Sequence, residues 1–275
     1  MNLRSKCALF SILFLLLIGF CQSATVDTVL VYSPKMEKEI FTVVVIPENG
    51  NVQKFPSVYL LHGYGGSHKD WSSHMDLKPL AEQYQCIIIC PDGSKASWYL
   101  DSPEVKESQY ETFVASELVT FIDSKYPTIK SKNKRVITGL SMGGHGALYL
   151  AIRHPDLFSA AGNMSGVVDL PNSSVKKELA VKLGSFEEYP ERWKENSIVN
   201  MIEQIRSAKL AILIDCGVDD YFANDNRNLH KLLLDANIDH DYVERPGGHS
   251  WDYWTRVLKY HILFFNEHFE NGEAK

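Results

Sequence analysis

A serine within a glycine-rich stretch is the residue of this sequence best placed to act as a nucleophile. Residues 136–148 run VITGLSMGGHGAL: an apolar segment, then Gly-x-Ser-x-Gly centred on Ser141, then small residues that continue into a helical pattern. A serine on a sharp turn between a strand and a helix presents its hydroxyl clear of the sheet, and small residues must flank it because the two backbones nearly meet. The strand and helix context predicts such an elbow at Ser141, whereas the five residues alone also occur by chance in glycine-rich loops.

A histidine and candidate carboxylates that could activate this serine follow it in the chain. A serine hydroxyl is a poor nucleophile until a base takes its proton, and a carboxylate must hold that base in the correct tautomer. His249 lies in a glycine turn, PGGHSW, directly after a predicted strand. Asp219 and Asp220 follow another predicted strand, and Asp215 lies at the end of that strand, where it could be buried or a cap. The order serine, aspartate, histidine is the one expected after a nucleophile elbow.

Two backbone N–H groups are needed to hold the negative oxygen that forms when a serine attacks a carbonyl carbon. One is expected from Met142, the residue after the nucleophile. The other is expected from the loop after the third predicted strand, where residues 62–66 run HGYGG and Tyr64 has the right position. The same glycine-rich segment could instead form a plain turn, but its place after that strand favours the functional interpretation.

An aromatic loop at residues 94–108 contains SWYLDSP and is a candidate for substrate binding. The rings of Trp98 and Tyr99 would suit a sugar ring or an aromatic acyl group. Both side chains could equally pack in the protein core.

The elements that must position these residues alternate along the chain. Two β-branched segments, 27–34 and 39–47, predict an opening hairpin. Further strands are predicted at 57–61, 86–90, 134–140, 158–164, 209–216 and 238–245, and helices at 70–83, 110–126, 142–154, 224–236 and 251–269. Such alternation indicates an α/β protein with a mostly parallel sheet covered on both faces. The polar segment from about 167 to 200 breaks it and is predicted to be a cap-like insertion over the catalytic edge of the sheet.

The composition and the N-terminal segment limit the classes of protein to which this chain could belong. The chain has 275 residues, of which 45% are hydrophobic and 23% charged, enough for one large core, and its net charge of −6 argues against a nucleic-acid partner. Basic residues, the apolar run 8–20 and small residues at 21–24 predict a signal peptide at 1–23 and an exported single domain at 24–275. The run is short for a membrane span, and lipidation at Cys21 is the alternative. No histidine or cysteine spacing predicts a metal site.

Four segments in order carry a resemblance to a known family: GLSMGG at 139–144, LHGYGG at 61–66, SWYLDSP at 97–103 and GGHSWDYW at 247–254. With them, the sequence resembles the esterase D family, which includes tributyrin-esterase-like enzymes, S-formylglutathione hydrolases, feruloyl and acetylxylan esterases and mycolyltransferases. The resemblance implies an α/β-hydrolase fold and hydrolysis of carboxylic esters through an acyl-enzyme, with no cofactor. The family pattern Gly-x-x-Asp maps onto residues 217–220 and implies Asp220 as the acid.

The combined expectation is an exported serine esterase that removes feruloyl or acetyl groups from small-molecule or oligosaccharide esters. Export makes a cytosolic glutathione thioester a poor substrate, and the 167–200 segment matches no motif that would specify the acyl group. Alternatives are a general short-chain carboxylesterase and an acyltransferase to a sugar hydroxyl. A non-catalytic carbohydrate-binding module on a hydrolase fold is a further alternative, but such a module is expected to have lost Ser141, His249 or the elbow glycines, and all are present.

Overall fold

An eight-stranded sheet runs through the computed structural model, which describes residues 24–48 and 53–271; the predicted signal peptide at 1–23 lies outside the described residues. The strand order is β1-β2-β4-β3-β5-β6-β7-β8. These strands are β1 (Thr25–Ser33), β2 (Lys38–Ile46), β3 (Ser57–Leu61), β4 (Ile87–Pro91), β5 (Arg135–Leu140), β6 (Ala160–Met164), β7 (Ala211–Gly217) and β8 (Asp241–Arg245).

The sheet is antiparallel only at one side. β1 and β2 form the predicted hairpin, β2 pairs antiparallel with β4, and the pairs from β4 through β3, β5, β6 and β7 to β8 are all parallel. The predicted mostly parallel sheet is therefore confirmed. Because parallel strands end at the same edge, the loops after β3, β4, β5, β7 and β8 meet there, and these loops carry the candidate site residues.

Helices cover both faces of the sheet, as predicted. They are α1 (Asp70–His74), α2 (Lys78–Tyr84), α3 (Tyr110–Thr112), α4 (Val119–Lys125), α5 (Met142–Arg153), α6 (Lys176–Leu183), α7 (Pro190–Glu195), α8 (Ile202–Ala208), α9 (Ala223–Asp235) and α10 (Trp251–Asn271). One apolar core contains the buried faces of α3 to α9, and the other contains those of α1, α2 and α10. Within the described ranges, no helix is both long enough and apolar enough to cross a membrane.

Two predicted helices differ in detail from the structure. The helix predicted at 70–83 is two short helices, since Met75 has an extended backbone and Pro79, near the start of α2, cannot donate the N–H that a continuous helix requires. The helix predicted at 110–126 is continuous but contains a π-helical segment, Phe113–Leu118, between α3 and α4. α8 was not predicted.

The predicted cap at 167–200 folds as α6, α7 and a short 3₁₀ turn at Ile198–Asn200. Its apolar side chains Leu179, Leu183 and Trp193 are fully buried in the larger core. The Ser102 hydroxyl also donates to the carbonyl of Lys182 at the end of α6. The segment is consequently packed as part of the domain.

Candidate active site

Ser141 lies at the junction of β5 and α5 with a backbone conformation that few non-glycine residues adopt. Its φ is 53° and its ψ is −117°. The neighbouring backbones are as close as the elbow requires. A Cβ on Gly139 would lie 2.5 Å from the Gly143 carbonyl oxygen, and one on Gly143 would lie 2.6 Å from the carbonyl oxygens of Leu61 and His62. Only glycine fits at these two positions.

A continuous hydrogen-bonded chain links Ser141, His249 and Asp220. Ser141 Oγ lies 2.9 Å from His249 Nε2, and His249 Nδ1 lies 2.9 Å from Asp220 Oδ2. Asp220 is 6% exposed, and its Oδ1 accepts a further hydrogen bond from the Phe222 N–H. The carboxylate thus favours the tautomer in which His249 Nδ1 carries the proton. In that tautomer Nε2 is free to accept the proton of the serine hydroxyl.

The other two candidate carboxylates do not reach the histidine. The side chain of Asp219 is exposed, and its backbone N–H donates to the carbonyl of Gly247. Asp215 is fully buried, forms an ion pair with Arg245 and accepts a hydrogen bond from the Tyr253 hydroxyl. Asp215 therefore ties the ends of β7 and β8 to α10, and Asp220 is the carboxylate placed against His249.

The two backbone groups predicted to form an oxyanion site flank the serine. Met142 is the first residue of α5. The first N–H groups of a helix have no acceptor within that helix. Tyr64 follows Gly63, on which a Cβ would lie 2.5 Å from Leu140 Cδ1, so this loop lies directly against the elbow. Across residues 24–48 and 53–271, neither the Met142 nor the Tyr64 N–H donates to a protein acceptor. Both are available to a ligand.

Two buried side chains, His62 and Tyr99, support the loop that carries Tyr64. The Gly93 N–H donates to His62 Nε2 at 2.7 Å, so the proton of His62 is on Nδ1, which lies 2.8 Å from the Gly63 carbonyl oxygen. Burial lowers the pKa of His62 and favours this neutral form. The Tyr99 hydroxyl lies 3.1 Å from both the backbone nitrogen and the carbonyl oxygen of His62.

These contacts change the interpretation of the aromatic loop. Tyr99 is fully buried and does not line the cavity at Ser141, so the structure does not place it to bind substrate. Its ring lies in the larger core and its hydroxyl supports the oxyanion loop. Trp98 is also nearly fully buried, but it does border the cavity. Of the predicted pair, only Trp98 is in a position to contact a ligand.

Tyr99→Phe is expected to lower the free energy of unfolding by about 1–3 kcal/mol, because the buried N–H of His62 loses its acceptor. We also expect kcat to fall several-fold with little change in KM, since the loop no longer holds the Tyr64 N–H rigidly. Urea unfolding and steady-state kinetics on 4-nitrophenyl acetate measure the two effects. Tyr32→Phe, at a side chain that is 56% exposed, is the control, and equal results for the two variants would contradict the bracing role.

A cavity of about 360 Å³ opens above the serine. Both Ser141 and His249 line it, and much of the remaining wall is aromatic: Tyr64, Trp98, Tyr221, Phe222, Trp251 and Trp254. The 167–200 segment contributes Val167, Ser174, Val175 and Glu178 to the rest of the wall. The aromatic wall is therefore assembled from four separate parts of the chain.

Trp251 is an aromatic wall residue whose ring is held by contacts with three other rings. Its ring stacks on His74 at a centroid distance of 3.8 Å and an interplanar angle of 7°. The edges of Trp71 and Trp254 contact it at 5.2 and 5.5 Å. Sequence reasoning placed Trp251 in a motif but assigned it no role. Its position two residues after His249 is the signal that could have found it.

A mostly parallel sheet with a nucleophile elbow and a Ser-His-Asp chain at the carboxyl edge of its strands defines an α/β-hydrolase. The chain belongs to the Esterase family, whose model, described as "Putative esterase", matches residues 33–265. It is a carboxylic ester hydrolase. The resemblance to the esterase D family, stated from four sequence segments, is confirmed.

The similarity to individual relatives covers most of the chain. An acetyl esterase of Caldicellulosiruptor saccharolyticus is 28% identical over 248 residues, covering 82% of this chain and 92% of the relative. The diacylglycerol acyltransferase/mycolyltransferase Ag85A of Mycobacterium leprae is 29% identical over 272 residues, covering 85% of this chain and 80% of the relative. The solved structure of a ferulic acid esterase superposes with a TM-score of 0.77 at 26% identity, covering 90% of this chain and all of the other.

Proposed function

We propose that this protein is an exported serine esterase that removes acetyl or feruloyl groups from carbohydrate esters through an acyl-enzyme. The observation that carries the proposal is the hydrogen-bonded chain Ser141–His249–Asp220 at the base of an aromatic cavity. The names of the acetyl esterase and ferulic acid esterase relatives support the choice of acyl groups. The charged and apolar pattern of residues 1–23 supports export.

In the first half of the reaction, Ser141 Oγ attacks the ester carbonyl carbon while His249 Nε2 takes the hydroxyl proton. The carbonyl oxygen becomes negative and accepts hydrogen bonds from the N–H groups of Tyr64 and Met142. Asp220 stabilises the imidazolium. When the tetrahedral intermediate collapses, the bond to the alcohol oxygen breaks and that oxygen takes the proton from Nε2. The acyl group remains on Ser141.

In the second half, a water molecule takes the place of the alcohol. His249 accepts one proton of the water as its oxygen attacks the acyl carbon, and then returns that proton to Ser141 Oγ. The carboxylic acid leaves and the free enzyme is restored. Both halves use the same oxyanion donors, so the fold needs only one set.

The aromatic rings beside His249 support a carbohydrate alcohol. The alcohol oxygen must reach Nε2, so the alcohol occupies the histidine side of the cavity. Tyr221, which is 73% exposed, lies 4.7 Å from the His249 ring, and Trp251 lines the same cavity. Flat aromatic faces pack against the C–H faces of sugar rings, and a ring already held in place loses little entropy on binding.

Trp251→Ala is expected to raise KM about tenfold for acetylated or feruloylated xylo-oligosaccharides, through loss of a preorganised stacking surface. Turnover of 4-nitrophenyl acetate, which has no sugar, is expected to stay within about twofold. Steady-state kinetics on both substrates measure the difference, with Tyr32→Ala as a remote aromatic control. An equal loss on both substrates would argue against a sugar-contacting role.

A panel of esters tests the proposal as a whole. Hydrolysis of acetylated or feruloylated oligosaccharides with higher kcat/KM than simple aryl esters is expected. Activity confined to short-chain aryl esters would favour the general carboxylesterase instead. The similarity to a mycolyltransferase favours one second candidate, transfer to a sugar hydroxyl. Product analysis with and without added free sugar separates transfer from hydrolysis, because only transfer yields a new sugar ester.

A further inference from the structure

A second hollow, of about 370 Å³, opens beside the catalytic cavity, and Tyr64 and Glu178 line both. Its other walls are Ala96 of the aromatic loop and three residues of α6, namely Lys177, Val181 and Lys182. The two spaces therefore adjoin at the side chains of Tyr64 and Glu178, on the α6 side of the catalytic cavity.

Two lysines of the hollow have no close carboxylate partner in the described part of the chain. Within the part of the chain that the structure describes, neither Lys177 nor Lys182 forms an ion pair with a carboxylate. Lys182 is partly buried, and burial lowers its pKa, as does the nearby ammonium of Lys38. The end of α6 that carries Lys182 is fixed, because the Lys182 carbonyl accepts a hydrogen bond from the Ser102 hydroxyl.

The other charges near the hollow are of both signs. Glu178 stands on the wall shared with the catalytic cavity, and Glu107 attracts Lys182. Lys38 adds a third cation, and its ammonium donates to the backbone carbonyl of Glu107 at 2.7 Å. The wall of the hollow thus carries two lysines and one carboxylate, whereas the chain as a whole has a net charge of −6. An unpaired, partly buried ammonium favours an anionic ligand, which restores the interactions that burial removes.

We propose that this hollow is a subsite for a carboxylate on the ester substrate, held by Lys177 and Lys182. The inference rests on the proposed esterase function and specifies the substrate class of that same site. The carboxylate can come from either part of the ester. On the acyl part the substrate is a monoester of a dicarboxylic acid, and on the alcohol part it is an ester of a uronic acid.

Two pairs of esters test the subsite and distinguish the sources. 4-Nitrophenyl hemiglutarate is compared with 4-nitrophenyl valerate for the acyl part, and acetylated methyl glucuronoside with acetylated methyl glucoside for the alcohol part. In at least one pair, Lys177→Gln and Lys182→Gln are each expected to lower kcat/KM for the anionic member about tenfold and leave the neutral member unchanged. Added salt is expected to have the same selective effect.

Two further variants sharpen the comparison. Lys176→Gln is the matched control, since Lys176 is on the same helix but its ammonium lies 5.2 Å from the centre of the Phe186 ring, outside the hollow. It is expected to behave like the wild type. Glu178→Gln removes a carboxylate that lines the hollow and is expected to raise kcat/KM selectively for the same anionic member.

Calorimetry of Ser141→Ala with monomethyl glutarate and with methyl glucuronoside tests the subsite without turnover. The subsite is supported if Ser141→Ala binds either ligand and the double variant Ser141→Ala/Lys182→Gln does not. Equal effects of the lysine variants on anionic and neutral esters, together with no binding that depends on Lys182, would overturn it. Absence of hydrolysis of these four esters and of the acetylated and feruloylated oligosaccharides would refute the proposed esterase function, while the calorimetry would still decide the subsite.

Discussion

Ser141→Ala is expected to lower kcat on every ester substrate by about five to six orders of magnitude. The variant has no hydroxyl to form the acyl-enzyme, so only the oxyanion donors and substrate binding can still favour attack by water. The fold should persist, because alanine removes one oxygen and places no new atoms against the Gly139 and Gly143 backbones that approach the elbow. KM is expected to change little.

A fluorophosphonate probe and steady-state kinetics measure this effect together. The wild type should be labelled stoichiometrically and Ser141→Ala not at all, with unchanged circular dichroism. Ser165→Ala is the matched control, because Ser165 is a buried serine that also has a positive φ, of 54°. It is expected to retain labelling and activity. A wild type that resists the probe would contradict the serine mechanism and favour the non-catalytic alternative.

Asp220→Asn is expected to lower kcat by about four orders of magnitude, whereas Asp219→Asn should stay within about twofold. The reason is the histidine tautomer. Asp220 Oδ2 accepts a hydrogen bond from the protonated Nδ1 of His249. An asparagine amide that presents its NH₂ there would favour the tautomer with the proton on Nε2. In that tautomer the histidine cannot accept the proton of Ser141. Asp219 is exposed, and the backbone hydrogen bond that it makes does not depend on its side chain.

Kinetics of both variants over a range of pH measure the result. Asp220→Asn should retain fluorophosphonate reactivity at a greatly reduced rate and unfold at a urea concentration close to that of the wild type. If Asp219→Asn lost activity and Asp220→Asn did not, the assignment of the acid would be wrong. Asp215→Asn is not a suitable comparison, because it also breaks the buried contacts to Arg245 and Tyr253.

Patterns that depend on local backbone chemistry could be predicted from the sequence alone. The glycines around Ser141 predict a close approach of strand and helix because no larger residue fits. Continuous apolar runs such as residues 57–61 predict strands that are covered on both faces. The positions of Ser141, Asp220 and His249 at strand ends then follow from chain order, since parallel strands bring their carboxyl ends to one edge. Fold class, Ser141 and His249 were accessible in this way, whereas the choice of Asp220 over Asp219 rested on the family pattern at residues 217–220.

Only the tertiary structure decided what depends on side-chain direction and on contacts between distant segments. The residue types alone leave Asp219 and Asp220 open, and the family resemblance implies Asp220. The turn after β7 directs Asp220 toward His249 and leaves Asp219 exposed. Trp98 and Tyr99 likewise diverge: one borders the cavity and the other lies under the oxyanion loop. Trp251 becomes a wall of the cavity because His74 and Trp71, far away in sequence, pack against its ring. Sequence periodicity specifies which residues are buried, but packing determines which neighbours they meet.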